Sequence, residues 1–158
     1  MLAPCGLPMQ SRMANSSELK EAVEDLETQG ENLKGAKVMV IDDSNTIRRS
    51  AEIFLQQAGC EVILAEDGFD ALAKITDHRP DLIFVDIMMP RLDGYQTCAL
   101  IKKNSRYRET PVIMLSSKDG LFDRARGRLV GSDEYLTKPF SKDALLAAVS
   151  RHHSKTAT

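Results

Sequence analysis

The chain has 158 residues, which is enough for one domain with a full hydrophobic core. Its 42% hydrophobic and 28% charged residues are typical of a globular domain, and its net charge of -2 excludes a bulk electrostatic attraction to nucleic acid. No apolar stretch approaches the roughly 20 residues of a membrane span, and the three cysteines lack metal-binding or redox spacing, so we expect a cytoplasmic protein without membrane insertion.

Residues 1–35 are predicted to form a flexible N-terminal extension. Residues 1–12 either precede a true start at Met13 or form a tail. In the polar stretch that follows, Leu19, Val23 and Leu26 recur at i, i+4 and i+7, which predicts a short amphipathic helix over 16–28. Such a helix needs a partner surface to persist, and a partly ordered, solvated tail is the alternative.

From Lys37 onward, short apolar runs alternate with amphipathic helical patterns. The predicted strands are Val38–Ile41, Val62–Ala65, Leu82–Val85, Val112–Leu115 and the more polar Glu134–Thr137, which we expect at a sheet edge. The predicted helices are Asn45–Ala58, Phe69–Asp77, Gly94–Lys103, Leu121–Val130 and Lys142–Arg151. This alternation predicts an α/β fold in which right-handed βαβ units build a parallel sheet covered on both faces.

Two finer expectations concern the helices. In the second helix, the apolar positions that we expect to face the core are Phe69, Leu72, Ala73 and Ile75. The last helix is expected to end at Arg151, so that residues 152–158 form a C-terminal tail. The three histidines are expected on the surface: His78, His152 and His153.

Acidic, basic and hydroxyl side chains stand where the predicted strands end. Asp42 and Asp43 follow the first strand, and Asp86 follows the third. Ser116 follows the fourth strand and Lys138 follows the fifth. Because open α/β sheets gather their chemistry at the carboxyl ends of the strands, we expect these five side chains to converge. The set indicates a metal-assisted site that accepts a phosphoryl group.

The grouped carboxylates themselves predict a bound cation. Two carboxylates about 4 Å apart repel each other by roughly 4 kcal/mol at an effective dielectric constant of 20. Mg²⁺ suits such a site, because it is a hard ion that binds a few carboxylates, waters and phosphate oxygens; Mn²⁺ is the alternative ion. For Asp42 alone, a role as N-cap of the first helix is an equally open interpretation.

Several segments together resemble a known family. They are Val38-Met39-Val40-Ile41-Asp42-Asp43-Ser44, Phe84-Val85-Asp86-Ile87-Met88-Met89-Pro90, Asp93-Gly94 and Lys138-Pro139-Phe140, with Ser116 and Lys138 placed 30 and 52 residues after Asp86. Over residues 36–151 the chain resembles the receiver domains of two-component response regulators. The resemblance implies a CheY-like, flavodoxin-like (βα)5 sandwich with a five-stranded parallel sheet of order 2-1-3-4-5.

The resemblance also implies roles for the acidic residues. Asp86 would accept a phosphoryl group from the phosphohistidine of a histidine kinase of the chemotaxis type. Asp43 and Asp86 would bind Mg²⁺ directly, together with the backbone carbonyl of Met88. Asp42 would act mostly through a bound water. The chain would therefore catalyse only its own phosphorylation and dephosphorylation, and would not be an enzyme that turns over a substrate.

The same resemblance implies how phosphorylation would be sensed. Lys138 would pair with Asp86 at rest and with the phosphoryl group afterwards, aimed by a cis peptide bond to Pro139. The hydroxyl of Ser116 would turn toward the phosphoryl group, and Tyr135 would shift inward to fill the vacated space. For Tyr135 the alternative is an ordinary half-buried aromatic residue of an edge strand.

Output is expected through protein binding. The basic residues Arg124, Arg128 and Lys142 are candidates for a surface that meets an acidic effector, and a simple solvated face is the alternative. We expect a monomer or a weak, phosphorylation-dependent dimer.

A narrower resemblance concerns Asp67–Leu72, Pro90–Lys102 and Ser116–Asp123, which are similar to stand-alone receivers of type IV pilus twitching-motility systems. A phosphate sink and a flagellar chemotaxis regulator are the alternatives that share this chemistry. A flavodoxin-like cofactor binder is disfavoured because acids follow the first strand where a phosphate-cradling loop would be needed.

Overall fold

The computed structural model describes residues 33–117 and 121–156, apart from the side chains of residues 121–124 and 154–156. The predicted helix over 16–28 and the interpretations of residues 1–12 lie outside this described part. Within it, no helix is long and apolar enough to cross a membrane.

Five strands and five helices alternate along the described chain, as the sequence predicts. The strands are β1 (Lys37–Ile41), β2 (Glu61–Ala65), β3 (Leu82–Asp86), β4 (Val112–Ser116) and β5 (Glu134–Thr137). The helices are α1 (Asn45–Gln57), α2 (Gly68–His78), α3 (Gly94–Lys103), α4 (Leu121–Leu129) and α5 (Lys142–Thr156). Most boundaries agree with the prediction to within one residue, and the end of α5 is the clear exception.

All five strands form one parallel sheet with the order β2-β1-β3-β4-β5. The predicted α/β fold and strand order are therefore confirmed, and β5 lies at an edge as expected. Because the strands are parallel, their carboxyl ends share one edge of the sheet. That edge holds the polar residues at or directly after the last positions of β1, β3, β4 and β5.

Alternating side chains of the central strands form two separate hydrophobic cores. Met39 and Ile41 of β1 pack in a first core cluster with residues of α2 and α3. Val38 and Val40 pack in a second core cluster with residues of α1 and α5. Successive strand residues point to opposite faces, so each cluster fills one side of the sheet. Leu33 belongs to the second cluster and is 2% exposed, so chain that precedes β1 also packs against the sheet.

The expected core face of α2 is partly wrong. Ile75 is buried and Leu72 packs against the first core cluster, but Ala73 is exposed and the Phe69 side chain is 54% exposed. The buried stripe of the helix is Gly68, Ala71 and Ile75 instead. At the surface, the guanidinium of Arg91 lies 5.6 Å from the centre of the Phe69 ring and makes a cation–π contact with it.

The end of α5 also differs from the expectation. The helix runs to Thr156, beyond the predicted end at Arg151. His152 is 6% exposed, so its predicted surface location is wrong. Its Nε2 lies 2.8 Å from Oε1 of Glu134, and Arg151 donates hydrogen bonds to both oxygens of the same carboxylate. These contacts join the last turns of α5 to the start of β5.

Replacing Glu134 with Gln is expected to lower the free energy of unfolding at neutral pH by about 1 kcal/mol, because the Arg151 partner is exposed to water. Burial acts to raise the pKa of Glu134, but the hydrogen bonds and charges of Arg151 and His152 outweigh it, so the pKa lies below its ordinary value of 4.5. A carboxylate with a lowered pKa stabilises the fold fully above pH 4.5, and this contribution is lost as the pH falls through the folded-state pKa.

Urea unfolding at several pH values tests this prediction. The matched control is Glu61→Gln, because Glu61 is exposed at the start of the other edge strand and has no ion pair with a described residue. A deficit of Glu134→Gln that persists unchanged below the folded-state pKa of Glu134 would show that packing, rather than charge, accounts for it.

Candidate functional site

Four of the predicted site residues meet at the carboxyl edge of the sheet. Asp42 is completely buried, Asp86 is 2% exposed, and Asp43 is exposed to solvent. One carboxylate oxygen from each of these three residues lies within 4.8 Å of the others. The Nζ of Lys138 lies 2.9 Å from Oδ1 of Asp86 and 3.3 Å from Oδ2 of Asp42. The lysine therefore bridges the two buried carboxylates.

Lys138 directly follows the last residue of β5. Its N–H donates to the carbonyl of Ser116, which ties the end of β5 to the end of β4. The peptide bond between Lys138 and Pro139 is cis, as the family resemblance implies. The Lys138 side chain is 15% exposed, so its ammonium group is largely shielded from water.

Asp42 does not cap the first helix. Ser44 is the N-cap of α1, and its hydroxyl accepts a hydrogen bond from the N–H of Ile47. The Oδ1 atom of Asp42 instead accepts from the N–H of Ser44 at 2.9 Å. The interpretation of Asp42 as a helix cap is thus wrong, and its other carboxylate oxygen faces Lys138.

Burial and neighbouring charges shift the pKa values of Asp86 and Lys138. Burial raises the pKa of Asp86 to about 6, with the nearby charge of Asp42 adding to this effect and the hydrogen bond from Lys138 opposing it. Burial acts to lower the pKa of Lys138, but its hydrogen bond to Asp86 and the charges of Asp42 and Asp86 raise it above the ordinary value. The lysine therefore stays charged, and one cation faces two buried acids and a third exposed one.

The donor set fits a hard divalent cation. Three carboxylates from two neighbouring strand ends supply oxygen ligands, which Mg²⁺ prefers. A single lysine does not neutralise three acids, so positive charge is still needed.

The Met88 side chain is 74% exposed, and its backbone N–H lies 3.4 Å from Oδ1 of Asp86. The start of the loop that follows β3 therefore lies close to the Asp86 carboxylate.

The two residues of the expected switch lie on neighbouring strands. Ser116 is 5% exposed at the end of β4, where it pairs with Thr137 of β5. Tyr135 is half-buried, pairs with Met114 and packs against the first core cluster. Both side chains thus belong to the strand pair at the β5 edge of the sheet.

The basic residues expected at a partner surface are only partly described. Arg128 on α4 and Lys142 at the start of α5 are exposed. The side chain of Arg124 lies outside the described part of the chain. Arg128 also lines a surface cleft next to β5 with Ser132 and Tyr135.

One glycine supports the site and was not among the predicted site residues. Asp93 caps α3 in a capping box with Gln96, and Gly94 follows as the first residue of the helix. A Cβ atom at Gly94 would lie 2.3 Å from the carbonyl oxygen of Asp86 and 2.7 Å from the Cα of Ile87. The signal was present in the Asp93-Gly94 pair, but only the packing shows why a side chain is excluded.

Replacing Gly94 with Ala is expected to lower the free energy of unfolding by about 2–3 kcal/mol, because backbone atoms of the Asp86 segment have to move. Replacing Gly127 of α4 with Ala is the matched control. There the added Cβ would meet mainly the side-chain hydroxyl of Ser132, which rotates away easily. Equal stability of the two variants in urea unfolding would contradict the close approach of Gly94 to Asp86.

Comparisons with known proteins agree with this geometry. The model of the response regulator receiver domain family matches residues 38–150, and the chain belongs to this family. It is thus the receiver domain of a two-component response regulator. Over 118 residues the chain is 74% identical to the protein PilG of Pseudomonas aeruginosa, covering 75% of this chain and 87% of that protein.

Solved structures show the same fold. The chemotaxis protein CheY4 of Vibrio cholerae matches with a TM-score of 0.73 and 37% identity, over 75% of this chain and 98% of that chain. The receiver domain of the sensor histidine kinase PA1611 from Pseudomonas aeruginosa, which was solved with a magnesium ion in its active-site cleft, matches with a TM-score of 0.71 and 28% identity. That match covers 76% of this chain and 98% of the other.

Proposed function

We propose that this receiver accepts a phosphoryl group on Asp86 from the phosphohistidine of a chemotaxis-type histidine kinase. The observation that carries the proposal is the position of the Asp86 carboxylate, which is buried at the end of β3, hydrogen-bonded to Lys138 at 2.9 Å and grouped with Asp42 and Asp43. A phosphoryl-transfer site gives a common purpose to a buried nucleophile, two further acids and a lysine.

In the proposed mechanism, a carboxylate oxygen of Asp86 attacks the phosphorus atom, and the imidazole nitrogen of the donor leaves with the electron pair. Asp42, Asp43 and Asp86 would hold Mg²⁺, or Mn²⁺ in its place, together with the backbone carbonyl of Met88. When bound, the ion supplies positive charge that offsets the negative charge gathered on the carboxylates and the phosphoryl oxygens. Lys138 keeps Asp86 oriented before transfer and then pairs with the phosphoryl group.

Ser116 and Tyr135 are proposed to report the phosphorylation state. A phosphoryl group adds a charge of about -1.5 to -2 next to Ser116, which is enough to reorient a hydroxyl group. The proposed rotation of Ser116 frees space at the end of β4, and Tyr135 moves inward from its half-buried position on β5. The burial of Ser116 and the partial burial of Tyr135 support this switch, because a half-buried tyrosine on the neighbouring strand still has side-chain surface to bury.

The proposed output is binding of an effector protein, with the receiver acting as a monomer or a weak, phosphorylation-dependent dimer. The exposed Arg128 and Lys142, with Arg124 on the same helix as Arg128, would meet an acidic patch on the effector. Charge reversal of Arg124 and Arg128 that leaves the affinity for the effector unchanged would remove this surface from the proposal. The buried free thiols of Cys60 and Cys98 support a cytoplasmic location, where thiols stay reduced.

The proposed pathway is control of type IV pilus twitching motility, because the 74% identity to PilG spans 87% of that protein. The similarity to CheY4, a chemotaxis protein, keeps flagellar chemotaxis as a second candidate. Identity to CheY4 is only 37%, so the observation favours the pilus pathway.

The pathway is tested by expressing the chain in a Pseudomonas aeruginosa strain that lacks PilG. We expect wild-type protein to restore twitching zones on agar, and Asp86→Asn to restore none at equal protein level. Swimming in soft agar is the control for the flagellar pathway. Failure of the wild-type chain to restore twitching, or equal rescue by Asp86→Asn, would contradict a phosphorylation-dependent role in this pathway.

A further inference from the structure

A cleft of about 500 Å³ opens beside the acidic group, between the loop that follows β3 and helix α4. Asp43 and Met88 line one part of it, and Tyr95 and Arg126 line another. Because Asp43 belongs to the group of three carboxylates, this cleft is continuous with the site proposed to accept the phosphoryl group. A molecule that approaches Asp86 from this side passes through it.

Arg126 is held over this cleft by an aromatic ring. Its Cζ atom lies 4.3 Å from the centre of the Tyr95 ring, and Tyr95 is 4% exposed at the start of α3. A guanidinium that stacks on a buried ring loses part of its freedom to rotate. Among the described side chains, Arg126 makes no ion pair, and it is the only cation that lines the cleft.

The positive charge of Arg126 offsets the repulsion between acidic residues of the cleft and an anionic donor. The donor of a phosphoryl group carries two negative charges, and the acidic residues Asp43 and Asp93 that line the cleft repel it. A planar guanidinium can donate two parallel hydrogen bonds to phosphoryl oxygens, so a fixed arginine suits this task better than a mobile lysine. The position of Arg126 therefore has a functional explanation that its packing on Tyr95 alone does not give.

We propose that Arg126 is a phosphodonor-binding residue, which receives the anionic phosphoryl group in this cleft before its transfer to Asp86. The inference rests on the proposed function, since it assigns a binding residue to the same site. With acetyl phosphate as donor, a bond forms between an Asp86 oxygen and phosphorus. The bond between phosphorus and the bridging oxygen breaks, and acetate leaves with the electron pair.

The test compares wild type, Arg126→Gln, Arg126→Lys and Arg106→Gln by intact mass, which gives the initial rates of phosphorylation with saturating Mg²⁺. Arg106 is the matched control because it is also an exposed arginine and does not line the cleft. We expect Arg126→Gln to lower the second-order rate constant for acetyl phosphate about fivefold, as for the loss of one solvent-exposed charge contact. Arg126→Lys should recover part of the rate, and Arg106→Gln should leave it unchanged.

Repeating the measurement with a second phosphodonor and at high ionic strength distinguishes recognition of the donor's charge by Arg126 from a structural effect of the substitution. Phosphoramidate carries less net negative charge than acetyl phosphate, so the loss in Arg126→Gln should be smaller with this donor. The loss should also shrink at high ionic strength. Equal rates for Arg126→Gln and Arg106→Gln, or equal losses with both donors, would overturn the role of Arg126 while leaving Asp86 as acceptor. Absence of any adduct on wild type would overturn the proposed function and this inference together.

Discussion

Replacing Lys138 with Met is expected to lower the free energy of unfolding by about 3 kcal/mol when divalent ions are chelated. The Nζ of Lys138 contacts both Asp86 and Asp42, and these side chains are 3% and 0% exposed. Methionine fills a similar volume but leaves two buried carboxylates without their cation. Leaving a buried charge without its partner is far more destabilising than losing a surface ion pair.

This loss is expected to depend on pH. The pKa of Asp86 is already raised to about 6 by burial, with Lys138 acting to lower it. Without Lys138 the pKa of Asp86 in the folded protein rises further. It then lies further above the pKa of the same carboxyl group in the unfolded chain. A raised folded-state pKa means that the variant gains stability as the pH falls through that pKa, and that its deficit is largest at alkaline pH.

Urea unfolding of Lys138→Met at several pH values, with a chelator and then with Mg²⁺, tests this prediction. Lys142→Met is the matched control, because Lys142 is exposed at the start of α5 and its loss should change stability by less than about 0.5 kcal/mol. We expect Mg²⁺ to stabilise Lys138→Met more than wild type. If the two lysine variants are equally stable, Lys138 does not hold the buried acids together.

Replacing Asp43 with Asn is expected to weaken Mg²⁺ binding at least about tenfold, since it removes one of three carboxylates and its charge. Asp43 is the exposed member of the group, so the free energy of unfolding should change little without metal. The effect on metal affinity should therefore be separate from any effect on folding.

Titration calorimetry of Asp43→Asn beside Asp93→Asn measures this difference. Asp93 lines the same cleft as Asp43 but is not part of the group of three carboxylates. Asparagine also retains the capping of α3, so this control keeps the local fold. A similar weakening in both variants would mean that general negative charge attracts Mg²⁺, whereas wild-type affinity in Asp43→Asn would exclude Asp43 as a ligand.

The local pattern of apolar and polar residues is sufficient to predict most of the fold. The runs at β1, β3 and β4 are hydrophobic at nearly every position because both faces of these strands are covered, and this pattern predicts a central parallel strand. Polar residues directly after such runs predict the position of the site, because sites in parallel sheets lie at the carboxyl ends of the strands. The strand order brings Asp86 and Lys138 to the same edge of the sheet. The spacing of the family motifs predicts this strand order.

The errors arose where a distant residue decides the outcome. The periodicity of α2 does not reveal that Phe69 lies at the surface in contact with Arg91. The polar sequence at the end of α5 predicts a tail, because it does not show that His152 contacts Glu134, which lies 18 residues earlier in the chain. Likewise, the stacking of Arg126 on Tyr95 joins two helices whose sequences give no sign of each other. Tertiary contacts of single side chains, rather than element boundaries, mark the limit of the prediction.

The most direct test of the central claim is the intact mass of the chain after incubation with Mg²⁺ and acetyl phosphate, with wild type beside Asp86→Asn. We expect one added phosphoryl group on wild type, none on Asp86→Asn, and none on wild type when Mg²⁺ is chelated beforehand. An adduct on Asp86→Asn at the wild-type level, or no adduct on wild type with any donor, would contradict the assignment of Asp86 as the phosphoryl acceptor.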